Sequence, residues 1–112
     1  MKKSVLICIL LFCAANIFSA SVNKILSLYE EGDYYYELQQ YEAAITAYEQ
    51  CWNEYKKSSD KNIKESFFSL YNISCCYSLL KEYEKSEYYL KYALLAGYPY
   101  LNHILNDKDL VN

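Results

Sequence analysis

The sequence predicts an all-α protein, and three observations carry that expectation. Apolar residues recur at steps of three and four along most of the chain, and nowhere alternate with the period of a strand. Helix-breaking residues are scarce: the two glycines are Gly32 and Gly97, and the only proline is Pro99. Residues of similar character also recur at one fixed offset of 42, a period in the range of stacked helical repeats.

The chain has 112 residues, enough for one domain. Residues 1–21 are expected to be a secretory signal. Lys2 and Lys3 give a charged end, an apolar run follows from Val5 to Ala15, and Ser19, Ala20 and Ser21 form a small-residue cleavage site. That run is shorter than the roughly 20 residues needed to span a bilayer, so no stable span is expected after cleavage. Cys8 and Cys13 invite a lipoprotein reading, but Phe12 is large where that site needs a small residue.

The domain then covers residues 22–112. The first helix is expected at about Asn23 to Gln39, with Ile25, Leu28, Tyr29, Tyr35, Tyr36 and Leu38 apolar. A second runs from about Tyr41 to Lys57 on Tyr41, Ala44, Ile45, Tyr48, Trp52 and Tyr55. The polar run Ser58 to Asn62 interrupts the pattern. A third helix follows from about Ile63 to Leu80, with Phe67, Leu70, Tyr71, Ile73, Ser74, Tyr77 and Leu80 facing inward. A fourth covers Tyr83 to Ala96; Gly97 is placed to end it and Pro99 to begin a short last turn.

The offset of 42 pairs Gly32 with Ser74, Tyr35 with Tyr77, Tyr41 with Tyr83, Ala44 with Ser86, Tyr48 with Leu90 and Cys51 with Ala93. Antiparallel helices need small residues where their backbones come closest. Gly32 and Ala44 fit that need in the first copy, Ser74 and Ser86 in the second.

The spacing Gly32, Tyr35, Ala44, Tyr48 resembles the tetratricopeptide (TPR) repeat, with Leu28 where the pattern prefers Trp and Glu31 where it prefers Leu. The second copy, Leu70, Ile73, Ser74, Tyr77, Ser86, Leu90 and Ala93, is degenerate. No proline stands near Lys56, while Pro99 lies within a residue of its expected place. The period exceeds the family's roughly 34 residues, and the excess falls on Ser59 to Ser66. The resemblance covers Ser21 to Pro99 and implies two antiparallel hairpins, about 25–58 and 67–99. Two repeats need a cap. The tail 99–112, with Tyr100, Leu101, Ile104 and Leu105, is expected to supply it as a short helix.

The resemblance also implies a function: an exported, non-enzymatic scaffold or adaptor of the periplasm or cell envelope. Its partner would be a peptide or protein held along the first helix of each repeat. Carried over residue by residue, that face is Leu26, Tyr29, Asp33, Tyr36 and Glu37, then Phe68, Tyr71, Cys75, Ser78 and Leu79. Asp33 and Cys75 stand where the family's chaperone-tail clamps carry Asn, which argues against that use. The alternative is a structural, self-assembling envelope protein whose aromatic face is buried in a homodimer.

Other classes find little support. Without its signal the chain keeps nine lysines against fourteen acidic residues and has no arginine, a poor match for phosphate backbones or anionic lipid. Cys51, Cys75, Cys76 and the single His103 lack metal-site spacing. No cofactor motif or catalytic constellation stands out. A disulfide from Cys51 to Cys75 or Cys76 is sterically open, and small buried thiols are the other reading.

Overall fold

The computed structural model describes residues 21–98. All but Ser21 of the expected signal at 1–21, with Cys8 and Cys13, and the expected cap from Pro99, with His103, lie outside the described residues. Within them the protein is all-α and contains no strand. Four helices follow in order: α1 (21–37), α2 (Tyr41–Lys57), α3 (Lys64–Leu79) and α4 (Tyr83–Ala96). No helix among the described residues is long and apolar enough to cross a membrane.

The helices form two antiparallel hairpins. Contacts across the first widen in sequence with distance from its turn: Asp33 meets Tyr48, and further out Ile25 meets Cys51. The two hairpin turns repeat each other at the offset of 42. Gln39 N–H donates to Tyr36 O and Gln40 N–H to Tyr35 O, each at 2.9 Å. In the second turn Lys81 N–H donates to Ser78 O at 3.0 Å and Glu82 N–H to Tyr77 O at 2.9 Å. Gln39 and Lys81 both take left-handed backbone, φ 59° and 64°. These bonds satisfy the last carbonyls of α1 and α3, a closure that usually falls to glycine. Gly97 closes α4 the same way at φ 115°, with Tyr98 N–H on Ala93 O at 2.9 Å.

The end of α2 is built differently. Ser58 is extended rather than left-handed. The Lys61 ammonium turns back to donate to Tyr55 O and Lys56 O, both at 3.2 Å, and so caps the helix. Ser58 and Asp60 side chains accept from the backbone two residues ahead, giving this polar run a defined path into α3.

Small residues set the spacing inside each hairpin. A Cβ on Gly32 would run into the Tyr48 ring. Tyr48 is 1% exposed and Ala44 fully buried beside it in one cluster with Ile45, Ile73 and Cys76. In the second hairpin Ser74 and Ser86 face each other directly. α3 packs on both α2 and α4, which is why its serines 66, 69, 74 and 78 are buried along with its apolar residues.

Among the described residues Cys51, Cys75 and Cys76 are buried, and no disulfide joins them. Cys51 donates its S–H to Ile25 O at 3.4 Å, in a cluster with Tyr55 and Ile63. Cys75 and Cys76 belong to two other clusters. The disulfide open to Cys51 in the sequence is therefore not formed.

Candidate functional site

The face expected to hold a partner is partly filled by the chain itself. On α1, Leu26 is half-buried against the Ile25–Cys51 cluster. Tyr29 is half-buried, its ring 5.8 Å from that of Tyr48, and its hydroxyl accepts from Asn72 Nδ2 at 3.4 Å. Asp33 accepts the Tyr48 hydroxyl at 2.5 Å. Tyr36 is half-buried with its ring edge-on to Tyr41, and Glu37 is exposed. On α3, Tyr71, Cys75 and Ser78 are only 3%, 2% and 6% exposed, while Phe68 is half-buried and Leu79 exposed.

Tyr98 explains the α3 half. The left-handed turn at Gly97 sends the chain back across α3, where Tyr98 stacks on Tyr71 at 4.9 Å and meets Phe68 edge-on at 5.6 Å. Tyr36, Phe68, Tyr71 and Cys75 do come together as the carry-over implied, but as a packed cluster around Tyr98. Of the ten carried-over residues, Glu37 and Leu79 are the ones left exposed.

The titratable groups here are tuned for packing. Burial pushes the Tyr29 hydroxyl up to about 12, with the Asp33 charge adding to it. Burial holds Asp33 above its ordinary value, while the Tyr48 hydroxyl works the other way. Burial also pushes the Cys51 thiol up to about 12, which removes thiolate character at neutral pH. Among the described residues no group of three or more His, Cys, Asp or Glu could hold a metal ion.

An open groove lies elsewhere, between α2 and α4 over the start of α3. Its volume is about 570 Å³. Trp52 and Tyr55 of α2 line it with Phe67 of α3, facing Tyr88, Lys91, Tyr92, Leu95 and Ala96 of α4. A smaller, more polar hollow of about 290 Å³ continues it past Glu49, Asn53 and Lys56, sharing Trp52, Tyr88 and Tyr92.

Trp52 organises this groove. Its ring stacks on Tyr55 at 5.1 Å, meets Tyr92 edge-on at 5.7 Å and leans on Phe67 at 6.0 Å. Its Nε1–H donates to the Tyr92 hydroxyl at 3.0 Å, joining α2 to α4. Tyr89 makes the second such tie, donating to Glu49 Oε1 at 3.1 Å. Burial and the Glu49 charge both hold the Tyr89 hydroxyl in its protonated, donating form. The floor is thus a fixed aromatic surface. The α4 wall is not covered: Tyr88 is 60% exposed and Leu95 90%.

Sequence reasoning missed this groove, although the repeat frame held a signal. At the offset of 42, Tyr88 and Leu95 correspond to Thr46 and Asn53, which are exposed and polar on α2. These two positions are therefore polar in the first hairpin and apolar in the second.

No protein-family profile, curated protein or solved structure matches this chain.

Proposed function

We propose that this protein is a non-enzymatic protein-interaction module: an exported, TPR-like pair of helical hairpins that holds a partner in the aromatic groove between α2 and α4. The observation that carries this reading is the exposed apolar wall of Tyr88 and Leu95, placed where the first hairpin keeps Thr46 and Asn53. Folding does not require apolar side chains at those positions, since the equivalent helix does without them. Contiguous exposed apolar surface of this kind marks interaction sites, and Trp and Tyr are the residues that most often anchor them. Export rests on the order of charge, apolar run and small residues in 1–21. The likeness to TPR proteins rests on the Gly32, Tyr35, Ala44, Tyr48 spacing and its second copy.

The test is site-specific photo-crosslinking in the source cell. A photoreactive side chain replaces Leu95 in the groove or Glu37 on the α1 face, in otherwise full-length protein. The expected result is a discrete adduct from position 95 that disappears with Tyr88→Ala, and none from position 37. An adduct from position 37 alone would move the function to the α1 face.

A further inference from the structure

The repeat period exceeds the TPR length by about eight residues, and the excess lies beside one end of the groove. At the offset of 42, the last residue of α4, Ala96, corresponds to Glu54. Helix α2 runs on past that position to Lys57, and the added residues include Tyr55. Tyr55 matches Gly97, the left-handed residue that stops α4. Since Tyr55 lines the groove, part of the groove's wall stands where the second hairpin has only a glycine.

The segment after α2 folds back onto this residue. The Tyr55 hydroxyl donates to Lys61 O at 2.9 Å, and the Lys61 ammonium donates to Tyr55 O at 3.2 Å. Each side chain thus holds the other residue's backbone. The same ammonium donates to Lys56 O at 3.2 Å and lies over the Tyr55 ring, 5.0 Å from its centre. Two charge-assisted bonds and a cation–π contact therefore meet at one nitrogen. The path between is fixed as well. Ser58 is buried and accepts from Asp60 N–H at 3.1 Å, and Asp60 Oδ1 accepts from Asn62 N–H at 2.9 Å. Ile63 then enters the buried cluster of Ile25, Cys51 and Tyr55.

Tyr55 in turn fixes the aromatic floor. Its ring stacks on Trp52 at 5.1 Å and meets Phe67 edge-on at 5.3 Å. The indole of Trp52 is therefore held from α4 by Tyr92 and from the strand of chain after α2 by way of Tyr55. Loss of the Lys61 ammonium removes the cap of α2 and the cation over the Tyr55 ring together.

We propose that residues 58–63 are a strap that sets the end wall of the groove, with Lys61 as the positioning residue for Tyr55 and, through it, for Trp52. The inference rests on the groove being the interaction site. A groove held in one shape before its partner arrives binds with a smaller ordering cost, so the strap raises the groove's affinity. The excess over a TPR repeat thereby gains a role in binding.

Trp52 is the chain's single tryptophan, so its fluorescence reads the wall directly. Lys61→Met keeps the length of the side chain and removes the ammonium. In the full chain it is expected to redden the Trp52 emission and to raise its quenching by acrylamide, with helix content unchanged. The yield of the crosslink from position 95 is expected to fall by about threefold or more. Lys61→Arg retains donors and charge and is expected to match the wild type on all three readouts. Lys57→Met removes a neighbouring lysine that pairs with Glu54 at 3.7 Å, and is expected to change none of them. Tyr55→Phe keeps the ring but not its bond to Lys61 O; it is expected to move Trp52 in the same direction by less, and it carries the test if Lys61→Met does not fold. Trp52 fluorescence unchanged in Lys61→Met, no rescue by arginine, or an equal effect from Lys57→Met overturns the proposal. If the wild-type crosslink is present and Lys61→Met leaves its yield unchanged, the strap's role in binding fails and the groove's function stands. If the wild type gives no crosslink from position 95 while Lys61→Met alters Trp52, the groove's function fails and the strap's hold on the wall stands.

Discussion

Ser74 and Ser86 close the second hairpin by exchanging hydrogen bonds. The Ser74 hydroxyl donates to Ser86 O at 2.7 Å, and the Ser86 hydroxyl donates to Ser74 O at 2.8 Å. The hydroxyls themselves lie 3.2 Å apart, and both residues are buried. Ser74→Ala or Ser86→Ala alone is expected to cost about 1–2 kcal/mol, because a buried pair is broken while its partner stays in place. The double variant is expected to cost less than the sum, since each hydroxyl has lost the other. Urea unfolding of the three variants checks this.

In the first hairpin Gly32 packs against Tyr48, a pair matched at the offset of 42 by Ser74 and Leu90. A larger residue at one position accompanies a smaller residue at the other. Gly32→Ala is expected to cost about 1–3 kcal/mol, because its Cβ would overlap the Tyr48 ring. In a Tyr48→Leu background the same substitution is expected to cost much less, or to gain from alanine's helix propensity. A thermal-unfolding cycle with the four proteins measures the coupling.

The helix ends were only partly legible in the sequence. Gly97 was read as the stop of α4, and it is left-handed as that role requires. Gln39 and Lys81 do the same work without being glycine, so residue type did not flag them. A non-glycine residue there costs about 1–2 kcal/mol relative to its right-handed form. Gln39→Gly and Lys81→Gly are therefore each expected to raise the midpoint of thermal unfolding by a few degrees. A lower midpoint for both would contradict the turn geometry.

Alkaline stability follows from the buried tyrosines. Burial raises Tyr29 from 10.0 to about 12 and pushes Tyr48 up as well. The folded state then holds these protons more tightly than the unfolded state. The stability tied to Tyr29 is fully present below pH 10 and is lost as pH rises through about 12. Unfolding followed by circular dichroism is expected to begin above pH 10, with a late group of tyrosines ionising in step. Early ionisation of all fifteen tyrosines with the helices intact would refute this.

Period and spacing carried the fold further than the site. The four helices lie within about two residues of the ranges expected from apolar steps, and Gly32, Ala44, Ser74 and Ser86 sit where the hairpins pack. The covering of the α3 half of the carried-over face was not legible, because one backbone angle at Gly97 decides where Tyr98 goes. The groove was missed because it needs Trp52 and Tyr92, 40 residues apart, to meet. Period alone cannot tell an apolar residue that packs from one that stays exposed. Comparing Thr46 and Asn53 with Tyr88 and Leu95 could have made that distinction.

Trp52 offers the most direct test of the groove as the interaction site. It is the chain's single tryptophan, so its Nε1–H gives one indole resonance, and that proton is bonded to Tyr92 inside the groove. The measurement is a titration of ¹⁵N-labelled protein with the partner captured by the crosslink from position 95. The predicted result is a saturable shift of the indole signal and of the backbone amides from Tyr88 to Ala96, with Glu37 and Leu79 unmoved. A still indole signal, with shifts at Glu37 and Leu79 instead, would contradict the account.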